Sequence, residues 1–331
     1  MRLRALLDGP APQVPGTGGR PATGGAHSQV MGSTLTTVGL PVALGIVMLG
    51  LGLTLTVADF RRVAHRPAAV AVALLCQVVL LPLICFGLVL AFDLPPVLAV
   101  GMMLLAASPG GTTANLYSHL FRGDVALNVT LTAANSVIAV ITLPVIVNLS
   151  MNRFLPGEAG IGLQFTKSLE VFAIVLLPVL LGMLVRHLRP AFAHRMDRPV
   201  RVLSLVILVA VVGGSLVANR EILAEHFGRL SGITALFCVI SLALGYLVPR
   251  TMRIGQRQAI ASGFEIGIHN ATLAVVIAQA VIGSVEMSLP GGVYGVVMFF
   301  IALAFGLVVR SRVPPAARTT SGSTGEAAPA G

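Results

Sequence analysis

Ser108-Pro109-Gly110-Gly111-Thr112-Thr113-Ala114-Asn115 interrupts the apolar stretch 96–121, and this interruption decides how the chain is read. Pro109 removes a backbone donor and the two glycines permit non-helical angles, so a continuous helix through this point is not expected. The flanks, PPVLAVGMMLLAA and LYSHLF, are each long enough for a half-helix. A second stretch repeats the situation in the other half of the chain. Between Ser262 and Thr272, Gly263 and Gly267 weaken a helix while Glu265, His269 and Asn270 crowd polar groups into an apolar segment. Irregular backbone at membrane depth is tolerated only where it is buried in protein or lines a cavity. Each break ends on an asparagine, Asn115 and Asn270. Two interrupted apolar segments, one per half, point to the midplane site of a secondary transporter made from discontinuous helices. The expected helix breaks are Pro109, Gly110, Gly111 and Gly267.

The rest of the chain fits that reading. Of its 331 residues 56% are hydrophobic and 10% charged, where soluble domains carry about 25% charged residues. A soluble globular enzyme is thereby excluded. Nine apolar segments, at 35–57, 68–92, 96–121, 124–150, 169–187, 199–218, 228–248, 256–283 and 289–309, each have the length of a membrane-crossing helix. The expected class is an all-α polytopic membrane protein. Residues 1–33, rich in Gly and Pro, read as a disordered tail, with Met31 as an alternative start. Residues 34–312 form the membrane domain, and 313–331 read as a second disordered tail. Cys76, Cys85 and Cys238 all fall inside apolar runs without paired spacing, so they read as small core residues.

The net charge of +10 is explained by where the cations lie. An odd number of spans puts the termini on opposite faces. Fifteen of the 22 cations, among them Arg61, Arg62, Arg122, Arg186, Arg250 and Arg257, then share the face of the C-terminus. The positive-inside rule makes that face cytoplasmic and places the N-terminus outside. The charge is a topology signal and not a nucleic-acid footprint.

Of twelve acidic residues only Glu265 lies deep in an apolar segment. An ionisable group there costs about 2.5–3.5 kcal/mol, so it needs a reason. Gln77 sits within the second segment, and Asn128, Thr132 and Asn135 follow at i, i+4 and i+7 on one face of the fourth. Taken singly, Thr132 or Asn135 reads more readily as a helix-packing hydrogen bond. Together with Glu265 they make an oxygen-rich, singly anionic cluster suited to a hard monovalent cation.

SPGGTTANLYSHLFRGDVALNVTLTAANS (108–136) and FEIGIHNATLA (264–274) resemble the bile acid:sodium symporter family, as do GIVMLGLGLTL (45–55) and the stretch from Gln77 to Pro82. The resemblance spans about 38–310. It implies an inverted-repeat, panel-and-core fold with two crossed discontinuous helices, in a nine-helix form. By that resemblance a first sodium site uses Asn115, Thr132 and Glu265, with the positions of Ala114 and Asn128. A second uses Gln77, Glu265, the carbonyls of Ile266 and Ile268, and the side chain of residue 269. Thr112, Thr113 and Asn270 match positions near a bound anion.

Three residues depart from the family pattern. Ala114 stands where Ser is common and offers no side-chain oxygen. Asn128 also stands where Ser is common, but its amide oxygen can still coordinate. His269 stands where Gln is usual; its nitrogen suits Na⁺ poorly, by analogy with other hard cations, and could carry a proton instead. The resulting expectation is a plasma-membrane transporter that symports a small organic anion with Na⁺ by alternating access, with no other cofactor. The anion is either bile-acid-like or a small carboxylate. A proton-coupled or facilitative carrier using Glu265 and His269 is the alternative. An intramembrane enzyme is more remote, since no H-E-x-x-H motif or paired aspartates occur.

Overall fold

The computed structural model describes residues 40–63, 67–156, 165–218 and 220–311. The two expected tails and Met31 lie outside the described residues, the membrane domain's residues 34–39 with them. Among the described residues every regular element is helical. The helices are α1 (Leu40–Thr54), α2 (Val57–Val63), α3 (Pro67–Leu75), α4 (Leu81–Ala91), α5 (Pro96–Ala107), α6 (Thr112–Leu120), α7 (Val125–Phe154), α8 (Phe165–Leu188), α9 (Pro190–Ala218), α10 (Arg220–Thr251), α11 (Gln256–Gly267), α12 (Ala271–Val276) and α13 (Leu289–Arg310).

Four helical stretches, Pro67–Ala91, Val125–Phe154, Leu223–Thr251 and Glu286–Arg310, are long and apolar enough to cross a membrane. The third and eighth apolar segments are split, into α5 with α6 and α11 with α12. The first break falls at Ser108–Gly111. The second falls at Ile268–Asn270, so Gly267 is the last residue of α11 and not the break itself.

Proline shapes the second segment differently. Pro82 has no N–H to give the helix. Just before it the chain widens into a π-helical turn, Cys76–Leu80, in which the Leu81 N–H reaches back to the Cys76 carbonyl. Such insertions re-aim the side chains around them, and Gln77 lies on this one.

α1 packs chiefly on α8 and α9, while α5, α7, α10, α11 and α13 pack largely on one another. α7 shows why the bundle sits this way round. Val137, Ile141, Val145 and Leu149 recur every fourth residue and are all more than half exposed. Asn128, Thr132 and Asn135 lie on another face of the same helix and are buried. An apolar outer stripe over a polar inner one suits a helix between lipid and a protein interior.

Turns gather residues of like topology. The turn after α6 meets the start of α11, where Asp124 N–H donates to the Arg257 carbonyl (2.8 Å) and Arg257 Nε to the Arg122 carbonyl (3.3 Å). Elsewhere Arg229 donates to the Asp93 carbonyl at 3.1 Å.

Candidate functional site

The site is built where the two breaks meet. α5 stops because Ser108 turns to extended backbone (φ −72°, ψ 133°) ahead of Pro109. α11 stops at Ile268, also extended (φ −117°, ψ 90°). The two extended pieces pair as a short antiparallel bridge between Gly110 and His269. The Asn270 N–H donates to the Pro109 carbonyl at 2.9 Å, and the Asn270 side chain caps α12 by accepting from Leu273 N–H at 3.0 Å. Freed backbone groups are thus satisfied across the breaks, as burial in an apolar medium requires.

The Ser108 carbonyl takes two further donors. Gln77 Nε2 donates to it at 3.3 Å, and His269 Nδ1 lies 3.0 Å from it. A carbonyl oxygen only accepts, so Nδ1 carries the hydrogen of the neutral ring. The imidazole is stacked on Phe237 (centroids 5.2 Å apart) and meets Tyr294 edge-on. Tyr294 Oη donates to the Gly267 carbonyl at 2.7 Å, which satisfies one of the orphan carbonyls at the end of α11.

Glu265, on the last full turn of α11, is fully buried. α7 supplies its partners. Asn128 Nδ2 donates to Oε2 at 2.8 Å, and Asn135 Nδ2 to Oε1 at 3.3 Å. Thr132 Oγ1 lies 2.6 Å from Oε2 and 3.0 Å from the Asn128 carbonyl, so its single hydrogen serves one or the other. α7 and α11 leave their shared end parallel: Thr132 and Glu265 are 133 residues apart, the same separation as Asp124 and Arg257. On its other side the carboxylate rests against the first break. A Cβ on Gly110 would come 2.5 Å from Oε1, so only glycine fits there.

Three neutral donors leave the charge of Glu265 uncompensated. Among the described residues no cationic side chain pairs with it. Around it lie buried oxygens with no hydrogen-bond partner: Asn128 Oδ1 and Asn135 Oδ1, with Gln77 Oε1 and Asn115 Oδ1 on neighbouring elements. Because the amide nitrogens of Asn128 and Asn135 face a carboxylate, which only accepts, their oxygens are the atoms left over. One buried negative charge with spare neutral oxygens fits a hard monovalent cation. Among the described residues no three His, Cys, Asp or Glu come together, so this donor set does not suit a softer metal.

The sodium bile acid symporter family model matches residues 41–226, more than half of the chain. The chain belongs to this family. A sodium-dependent transporter of Bacillus subtilis, YocS, itself uncharacterized, is 27% identical over 241 residues, 73% of this chain and 74% of its own. The human ileal sodium/bile acid cotransporter is 28% identical over 254 residues, 76% of this chain and 72% of its own. The rice protein named "Probable sodium/metabolite cotransporter BASS2, chloroplastic" is 28% identical over 292 residues, 88% of this chain and 68% of its own. Sodium bile acid symporters are membrane transporters, not enzymes. The family match takes in the first break; Glu265 and the second break lie beyond it.

The residues expected to act together are brought together unevenly. Asn128 and Thr132 hold Glu265, and Asn135, which reads singly as a packing residue, joins them. Asn115 lies on α6, with no hydrogen bond to Glu265 among the described residues. Ala114 is fully buried. Gln77 and His269 both reach Ser108 and not the carboxylate. Ile266 and Ile268 are buried at the end of α11. Thr113 is half-buried in the first turn of α6; of Thr112 only the backbone is described. Asn270 and Pro109 line an open cleft between α1, α7 and α8, whose other walls are apolar side chains such as Met48, Leu51, Val140 and Leu180. Phe237, Tyr294 and the acceptor role of the Ser108 carbonyl escape sequence reading, because backbone carbonyls and aromatics at helical spacing carry no local mark.

Proposed function

We propose that this sodium bile acid symporter carries a small organic anion together with Na⁺ by alternating access, as a nine-span transporter of the cell membrane. The observation that carries the reading is Glu265: fully buried, without a cationic partner among the described residues, and beside the meeting point of two broken helices. A carboxylate in that position is costly alone and is neutralised when Na⁺ binds.

In this reading Glu265, Asn115, Asn128 and Thr132 hold the coupling ion. The anion lies in the cleft between α1, α8 and α7, its carboxylate toward Asn270, Thr112 and Thr113. The apolar walls of that cleft would bury the body of a bile-acid-like or other amphipathic acid. α1, α8 and α9 form the panel, and the remaining helices form a core whose inverted halves each contribute one break. Rocking of the core against the panel opens the cleft to alternate sides. The C-terminus lies in the cytoplasm, on the face that carries most of the arginines. His269 acts as a neutral cross-brace between the breaks, because its Nδ1–H is committed to Ser108.

The test is uptake into proteoliposomes of a panel of labelled acids, a bile salt and small carboxylates included. An inward Na⁺ gradient should raise uptake of at least one of them, and Glu265→Ala should abolish the rise. Uptake that follows a pH gradient and ignores Na⁺ would replace this reading with the proton-coupled one.

A further inference from the structure

The corner between α8 and α9 takes no part in lining the cleft. α8 ends at Leu188 and α9 begins at Pro190, with Arg189 the single residue between them. Both backbone groups of Arg189 are used. Its N–H donates to the Val185 carbonyl at 2.8 Å, and its carbonyl accepts from Ala193 N–H at 3.0 Å. The corner is therefore fixed in shape.

Its chemistry is one-sided. Residues 186–201 carry Arg186, Arg189, Arg195, Arg198 and Arg201, with His187 and His194, against the single acid Asp197. Arg189, Arg195 and Arg198 are exposed. Leu188 and Phe192, four residues apart across the corner, are both more than half exposed. On α9, Phe192, Arg195 and Arg198 lie on the arc away from Ala193, which is fully buried.

Other arginines at helix ends serve the protein's own backbone. Arg250 donates to the Ile254 carbonyl at 3.0 Å, Arg257 to the Arg122 carbonyl at 3.3 Å, and Arg186 to the Leu53 carbonyl at 3.3 Å. Among the described residues Arg189, Arg195 and Arg198 have no such acceptor for their side chains. The apolar run of α8 reaches Val185 and that of α9 starts at Val202, so the corner lies where two apolar helices end. In a membrane that is the headgroup layer. Exposed Leu and Phe set among arginines suit this layer, because the apolar groups enter the acyl boundary while the cations stay with phosphates.

We infer that the α8–α9 corner is a docking surface for anionic phospholipid, with Arg189, Arg195 and Arg198 on the headgroup phosphates and Leu188 and Phe192 against the acyl chains. The lipid holds this pair of helices at the membrane surface. Neither Glu265 nor the coupling ion enters the argument, so the surface stands apart from the transport reading above.

The test is native mass spectrometry of the detergent-purified full chain titrated with phosphatidylglycerol, with phosphatidylcholine and inorganic phosphate as separate arms. Phosphatidylglycerol should be retained more strongly than phosphatidylcholine, and excess inorganic phosphate should not displace it. A triple variant, Arg189→Gln with Arg195→Gln and Arg198→Gln, should lose one bound lipid or need at least about tenfold more phosphatidylglycerol to keep it. Each basic residue at an anionic surface is worth about fivefold, the factor that about 1 kcal/mol corresponds to. Without lipid its Tm should match that of the unmodified protein, because the three side chains are exposed. Lys at the same three positions should restore most of the binding. Equal retention of the two lipids, displacement by inorganic phosphate, or unchanged phosphatidylglycerol retention in the triple variant would overturn the assignment. Retention of neither lipid would overturn it as well, and would leave the surface to an acidic polypeptide.

Discussion

Gly110 and Glu265 are in contact across the two breaks: a Cβ on Gly110 would sit 2.5 Å from Oε1 and 2.7 Å from the Glu265 backbone oxygen. The first break is therefore shaped to admit the buried Glu265 carboxylate from the end of α11. Gly110→Ala should cost about 1–3 kcal/mol, the usual range for overpacking a tight interior. It should also weaken Na⁺ binding, because the carboxylate must move. Thermal unfolding of the detergent-purified protein, with and without NaCl, reads both effects. A variant with an unshifted Tm and unshifted Na⁺ dependence would show that the contact carries nothing.

Tyr294 tests the support behind the second break. Its hydroxyl donates to the Gly267 carbonyl at 2.7 Å, and its ring meets His269 edge-on. Tyr294→Phe keeps the ring and loses the hydrogen bond, leaving the buried Gly267 carbonyl with only the weak Cys238 thiol donor at 3.7 Å. A loss of about 1–3 kcal/mol is expected, seen as a lower Tm. The substrate concentration for half-maximal uptake should change little, because Tyr294 does not line the cleft.

His269 separates a brace from a proton carrier. Its Nδ1–H bridges to the Ser108 carbonyl, and Gln offers an N–H that can make the same bond. His269→Gln should therefore keep Na⁺-driven uptake within a few-fold, whereas His269→Leu should lower it further. Ser108 would still accept from Gln77 in both variants, so each is expected to fold. Loss of all transport in His269→Gln, with Na⁺ dependence replaced by pH dependence in the unmodified protein, would favour a proton mechanism.

Thr132 has the shortest contact to the carboxylate, 2.6 Å. Thr132→Val removes that oxygen from both the anionic and the cation-bound states. The Na⁺ concentration for half-maximal uptake should rise by about tenfold or more, as hydrogen bonds to charged groups are worth about 1.5–3 kcal/mol. Thr132→Ser should restore most of it.

Much of this site is legible in the sequence because it is local. Pro109-Gly110-Gly111 cannot continue a helix, and the break falls there. Glu265 is conspicuous because nothing else acidic lies so deep, and Asn128, Thr132 and Asn135 share a helical face that turns out to be the face toward it. The second break is less local. Gly267 reads as a breaker but ends the helix, and its lack of a side chain serves the Leu242 side chain packed where a Cβ would be. The unwound residues are Ile268, His269 and Asn270, of which Ile268 is extended and His269 pairs with Gly110 of the first break more than 150 residues away. Gln77 depends on distance as well: its aim follows the π-helical turn before Pro82, and its partner is a backbone carbonyl that no side-chain pattern reveals.

The central claim is that Glu265 binds the coupling cation. Equilibrium binding of radiolabelled Na⁺ to Glu265→Gln, which keeps the shape and loses the charge, tests it most directly. The account predicts loss of the ion held at Glu265, together with loss of Na⁺-stimulated uptake while the fold persists. Na⁺ binding by Glu265→Gln with the affinity and stoichiometry of the unmodified protein would contradict it.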